Sequence, residues 1–299
     1  MTTPLSSIPA ESYSAVAGVG AGLPAGVEPD PDNPPWNVTT AVLTWIGSVV
    51  LLIGVSAVSL VFIVLYFYSS KGSLNQEQLR QLLTTDKTAI LLQVISVIPA
   101  HLLTLGLAWA IVTSFGKRPF WRTLGWKYNH WREPVVWVLL ALALLLFGGL
   151  LTKYYGGEPT DIDQIINSST ASRFVLAFLA TATAPLVEEV IYRGILYSAL
   201  QRAIGVAWAV VGVTILFASV HYWQYQNNIS VLAAIGVLSL TLTLVRAYTK
   251  SLLPCFVIHL VFNGLQSLLI ILQPYVTKPE AVPTQTSGVV VLLSQLFVA

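Results

Sequence analysis

Long apolar stretches without a single Asp, Glu, Lys or Arg recur along the chain, separated by short polar segments. They run over residues 41–68, 88–116, 135–152, 203–245 and 251–273. One hydrocarbon crossing takes about 20 mostly apolar residues, so each is long enough to span a bilayer. The run 203–245 holds two crossings, with the polar "QYQNN" as the turn between them. The stretch from about 174 to 200 has the same apolar character apart from a few charges, and it brings the expected count to seven. A last run, "VVVLLSQLFV" at 289–298, is short for a span and allows an eighth helix. The pattern predicts an all-α, polytopic membrane bundle of seven to eight transmembrane helices enclosing a buried polar cavity.

Composition agrees with the pattern. Hydrophobic residues make up 55% of the 299 and charged residues 9%, against roughly 25% charged in a soluble domain; mean hydropathy is +0.74. The expected organisation is a Pro/Gly-rich disordered tail at 1–37, a first group of spans with an interfacial segment at 38–170, a core at 171–275, and a C-terminal segment at 276–299. The tail has acids but no Lys or Arg and lacks the basic and apolar regions of a signal peptide, so the first span is expected to remain as an anchor. Residues 118–131, "RPFWRTLGWKYNHW", combine basic and aromatic side chains as interfacial segments do. Eight basic residues on one set of loops against six on the other give only a weak orientation bias. The setting is that of a multi-pass integral protein, with a cell (inner) membrane as the expected location.

Three exclusions follow. The single cysteine, Cys255, rules out an internal disulfide and a Cys-rich metal cluster. A net charge of +2 gives no basis for a nucleic-acid partner. No repeat at fixed spacing points to a solenoid or an inverted-repeat transporter.

The polar groups inside the spans carry the functional signal. In "APLVEEVIYRG", residues 184–194, Glu189 and Arg193 lie at i and i+4 on one helical face and can neutralise each other. Glu188 is rotated away from that pair and has no local partner. Such charges are costly in hydrocarbon and face a protein interior or wet cavity; a packing ion-pair cluster is the alternative use of the same residues. Two of the four histidines fall in later spans, His221 in "FASVH" and His259 in "HLVFN", where His259 and Asn263 share a face. A lone span histidine is most often a packing residue, and His101, with no motif around it, is read that way. Three spans each offering such a group are a different matter. A carboxylate and an imidazole can hold and deprotonate a water, and an imidazole with an amide can donate to an oxyanion. No H-E-x-x-H, G-x-S-x-G or G-x-G-D is present.

The ordered set E-E-x-x-x-R at 188–193, F-x-x-x-H at 217–221 and H-x-x-x-N at 259–263 resembles the CAAX protease and bacteriocin-processing family, the Abi or type II CAAX prenyl endopeptidases, over about 170–275. The resemblance implies that Glu188 is the base activating water and that His221 shares that water. It implies that His259 and Asn263 are a pair that stabilises the oxyanion or completes the site, and that Glu189 and Arg193 support it. It implies a membrane-associated protein or peptide as substrate, and it leaves two mechanisms open: a metal-free one, favoured here with no cofactor, and a zinc hydrolase using Glu and two His. From another class, a proton-coupled transporter or binding protein would use the same buried cluster, and a catalytically silent scaffold would have lost one of these positions. The polar segment 154–169 closely precedes the Glu188 helix and is expected to cap or gate the cavity.

Overall fold

The computed structural model describes residues 30–73, 75–130 and 133–276. Among these there is no strand. The helices are, in order, α1 (Val38–Lys71), α2 (Gln76–Thr85), α3 (Lys87–Ile95), α4 (Val97–Thr113), α5 (Phe120–Thr123), α6 (Glu133–Tyr155), α7 (Asp161–Ser168), α8 (Thr170–Phe178), α9 (Ala184–Glu188), α10 (Tyr197–Ile204), α11 (Val206–Tyr225), α12 (Ile229–Thr249) and α13 (Leu253–Val276). Two π-helical stretches, Leu179–Thr183 and Glu189–Leu196, join α8, α9 and α10 into one long rod.

Among the described residues, seven helical units are long and apolar enough to cross a bilayer: 38–70, 87–113, 133–155, 170–204, 206–225, 229–249 and 253–275. These are the seven crossings the apolar pattern predicts, and the protein is a multi-pass integral membrane protein. The polar turn falls between Tyr225 and Ile229 as expected. At 1.5 Å per residue the 34 residues of α1 reach about 51 Å, well beyond a hydrocarbon core of about 30 Å. The run 289–298 and the first 29 residues lie outside the described residues.

Among the described residues, the two largest buried apolar clusters form the main cores of the bundle. One joins α1, α4 and α11 to the second π-helical stretch through Ala41, Ala108, Val190, Ile191, Ala209 and Phe217. The other joins α6, α12 and α13 through Trp137, Ala141, Leu242, Cys255 and Ile258. Lipid tails are as apolar as leucine, so helix association here depends on close packing. Fully buried Ala41, Ala108, Ala141 and Ala209 supply the small side chains that permit it. Both cores draw residues from before and after position 170, so the helices of the first group wall in those of the second.

One expectation is corrected. Residues 30–36, assigned by composition to the disordered tail, form a strap across one end of the bundle. Asp32 pairs with Arg246 at 2.9 Å and with Lys250 at 3.3 Å. Gln201 and Arg202 donate to the carbonyls of Asp32, Pro34 and Trp36, and the Trp36 indole donates to Ile195 O at 3.0 Å. The physical reason is Arg246: fully buried near a helix end, it requires a carboxylate, and the tail supplies one. The aromatic segment packs at the same end, where Trp126 lies 5.1 Å from Phe256 and Gly125 O accepts from Leu252 N and Ser251 Oγ.

Candidate active site

Glu188 closes the short helix α9, with a π-helical turn on either side. Single π turns inside α-helices occur frequently at functional sites, and each of these two has identifiable partners. In the first, Ala180 O accepts from Asn263 Nδ2 at 2.9 Å and Thr183 Oγ1 meets His101 Nδ1 at 2.9 Å. α13 comes so close to this turn that a Cβ at Gly264 would stand 3.2 Å from Thr181 Cγ2. The second stretch is buried along its whole length and carries Glu189 and Arg193.

The ion pair expected between those two is present, with Arg193 NH1 3.0 Å from Glu189 Oε1 and both side chains sealed from solvent. The rest of the guanidinium is satisfied by α12. NH2 donates to Ser239 O at 3.1 Å and to Ser239 Oγ at 2.8 Å, while Nε donates to Thr243 Oγ1 at 3.3 Å. The cation also sits 4.6 Å over the Phe217 ring, a favourable arrangement for a desolvated charge. Phe217 in turn packs against His221 and His259, with ring centroids 4.9 and 6.1 Å apart. That is the physical content of the F-x-x-x-H motif: the ring packs against the Arg193 guanidinium and against both imidazoles.

Both histidines turn toward Glu188. His221 Nδ1 donates to Phe217 O at 2.8 Å, and its Nε2 lies 4.0 Å from Glu188 Oε1. His259 Nδ1 lies 2.8 Å from Glu189 Oε1, and its Nε2 3.6 Å from Glu188 Oε2. Exposure separates the roles: the side chains of Glu188 and His221 are 24% and 20% exposed, against 3% for His259 and none for Glu189 and Arg193. The accessible face of the cluster is therefore Glu188 with His221. Asn263 is tied to Ala180, two turns before Glu188, by one of its two amide hydrogens.

Of the residues singled out in the sequence, Glu188, Glu189, Arg193, His221 and His259 form one connected cluster, and Asn263 stands beside the π turn leading into it. Sequence reasoning missed Ser239 and Thr243, which serve Arg193. The available signal was their i, i+4 spacing on an otherwise apolar helix. It read His101 as structural, and the ring meets Thr183 Oγ1 on the rod that carries Glu188. Its partner is a neutral hydroxyl with no motif to mark it.

Zinc chemistry would need three or four ligands in tetrahedral array. Two imidazole nitrogens and a carboxylate are suitable donors by type. Among the described residues, no group of three His, Cys, Asp or Glu side chains stands placed to hold a metal ion.

The segment 154–169 contains a helix, α7, rather than only loop. Ser230 Oγ donates to Gly156 O at 2.7 Å. α7 packs against α8 and against α11, the helix that carries His221.

Fold and cluster together define an integral membrane protein with a glutamate and histidine centre inside its helices. Residues 170–265, about a third of the chain, match the family described as Type II CAAX prenyl endopeptidase Rce1-like. The matched segment contains all three motifs, and the family is the one they resemble. No curated protein and no solved structure matches the chain.

Proposed function

We propose that this protein is an intramembrane endopeptidase of the CAAX type that hydrolyses a peptide bond of a membrane-associated protein or peptide with a water activated by Glu188. The observation that carries the reading is the convergence of His221 Nε2 and His259 Nε2 on the two oxygens of Glu188, inside the segment that matches a family of CAAX endopeptidases. The transporter alternative has no comparable support.

The tautomers suggest where the water sits. Phe217 O only accepts, so His221 Nδ1 carries a hydrogen and, in the neutral ring, Nε2 presents a lone pair. Facing it at 4.0 Å is a carboxylate oxygen, also an acceptor. Two acceptors at that separation are reconciled by one water donating a hydrogen to each. Glu188 takes the proton as the water oxygen bonds to the scissile carbonyl carbon. The oxyanion receives the second amide hydrogen of Asn263, with His259 beside it. As the C–N bond breaks, Glu188 returns the proton to the leaving amine, and the products are a carboxylic acid and an amine.

The test uses the purified protein in detergent and a quenched fluorescent peptide carrying a lipid anchor. Wild type is expected to cleave without an ion gradient and with a strong chelator present, while Glu188→Gln loses at least about 10²-fold in rate. Equal cleavage by Glu188→Gln would overturn the assignment of the base. Loss of wild-type cleavage on chelation, restored by zinc, would replace the metal-free mechanism.

A further inference from the structure

The π turn that leads into Glu188 is held from two sides by side chains of other spans. Asn263 of α13 takes Ala180 O, and His101 of α4 takes Thr183 Oγ1. Among the described residues the Thr183 hydroxyl makes one other hydrogen bond, a long one of 3.4 Å to Leu179 O, so the histidine is its main partner. Within the span 87–113, His101 is the sole ionisable residue apart from Lys87 at its start. Placing an imidazole there is costly unless it gains something. His221 Nδ1 is satisfied on its own helix; His101 spends a ring nitrogen on a helix 82 residues away in sequence. A π turn is a local break in the i to i+4 ladder, and Glu188 follows Thr183 by little more than one turn. Whatever fixes Thr183 fixes the direction in which the carboxylate leaves the helix.

We propose that His101, acting through Thr183, is a positioning residue for Glu188, which makes α4 a fourth wall of the active site. This rests on the reading of Glu188 as base. The reacting groups stand 3.6 and 4.0 Å apart, and a misplacement of about 1 Å costs on the order of 10²-fold in rate. The hydrogen bond is made with or without substrate, so its loss falls on kcat rather than on KM.

The experiment is a double-mutant cycle with the same anchored peptide, alongside thermal unfolding of each variant in the same detergent. His101→Phe and Thr183→Val are each expected to lower kcat about 10- to 100-fold with KM within about twofold of wild type. The double variant should be no worse than the poorer single one, because both remove the same bond. His101→Asn, whose Nδ2 takes the place of the imidazole Nδ1, and Thr183→Ser should recover most of kcat. A wild-type kcat for His101→Phe, losses that add fully in the double variant, or no recovery with Asn would overturn the proposal. Should His101→Phe fail to fold, Thr183→Val against Thr183→Ser carries the same comparison. Glu188→Gln is run in parallel: if it stays active the base reading and this proposal fall together, whereas an inactive Glu188→Gln beside a normal His101→Phe sinks this proposal alone.

Discussion

His259 stands between the two adjacent glutamates, with Nδ1 2.8 Å from Glu189 Oε1 and Nε2 3.6 Å from Glu188 Oε2. The oxygen that accepts from His259 is the one that also accepts from Arg193. Glu189 is therefore more than the counter-ion of Arg193. It fixes the orientation of an imidazole whose other nitrogen faces the proposed base, the logic by which a buried carboxylate orients the histidine of a catalytic triad. Arg193, held by Ser239, Thr243 and the Phe217 ring, keeps that carboxylate in place.

The adjacent glutamates should respond differently to the same change. Glu189→Gln removes the charge from a sealed pair, and breaking such a pair costs about 3–5 kcal/mol, so its melting temperature falls and its cleavage rate falls with it as His259 loses its orientation. Glu188→Gln, at a partly exposed position whose nearest ion-pair partner among the described residues is 3.6 Å away, should melt close to wild type while losing its activity. Thermal unfolding and the peptide assay on both variants check this. Equal destabilisation would show that Glu188 is also structural.

The spans and the Glu189–Arg193 pair were legible because each follows from one periodicity: apolar length for the crossings, i to i+4 for the pair. The cluster of Glu188, His221 and His259 was legible as three motifs, not as a geometry. What the sequence hid depends on contacts between distant helices. The His259–Glu189 bond joins α13 to a π-helical stretch, and π turns leave no compositional mark. Ser239, Thr243, Thr183 and His101 are ordinary residues whose role appears only when α4 and α12 are laid against the Glu188 rod. The strap at 30–36 was concealed by its composition, since Pro and Asp read as tail until a buried Arg246 is seen to need them.

Asn263 has two hydrogens to give, one engaged by Ala180 O and one assigned to the oxyanion. Asn263→Asp keeps the shape and removes both donors, setting a carboxylate against a carbonyl. Loss of an oxyanion donor costs about 2.7–4 kcal/mol of barrier, so kcat should fall about 10²- to 10³-fold, together with a drop in melting temperature from the broken tie to Ala180. A variant that keeps the wild-type kcat would remove Asn263 from the mechanism.

The strap predicts a contrast between two ion pairs. Asp32→Ala leaves Arg246, 1% exposed, without its carboxylate, and an unsatisfied buried donor costs about 1–3 kcal/mol, more for a charged one. The pair Glu77–Arg80 has a comparable separation, 2.8 Å against 2.9 Å, but lies 56% and 67% exposed, where salt and water screen it. Glu77→Ala should leave thermal unfolding unchanged, and Asp32→Ala should lower the midpoint clearly. Indistinguishable midpoints would mean that the strap does not brace the bundle.

The last prediction concerns the segment that follows α6. Gly156 O is held by Ser230, and Glu158 exchanges backbone and side-chain contacts with Asn227 and Asn228; Asn228 also caps α12. Between these ties the backbone of Gly157 comes so close to Asn228 that a Cβ there would overlap its side chain. Gly157→Ala should therefore pry the segment away from the start of α12 without touching Glu188, His221 or His259. If the segment gates the cavity, kcat and KM change together, as they do for hinge positions, and limited proteolysis cuts the segment faster. Gly54→Ala serves as the control, since a Cβ at that position in α1 meets nothing within 4 Å, and it should match wild type in both measurements. Faster proteolysis of Gly157→Ala with wild-type kcat and KM would show that the segment packs against the helix of His221 without controlling the cavity.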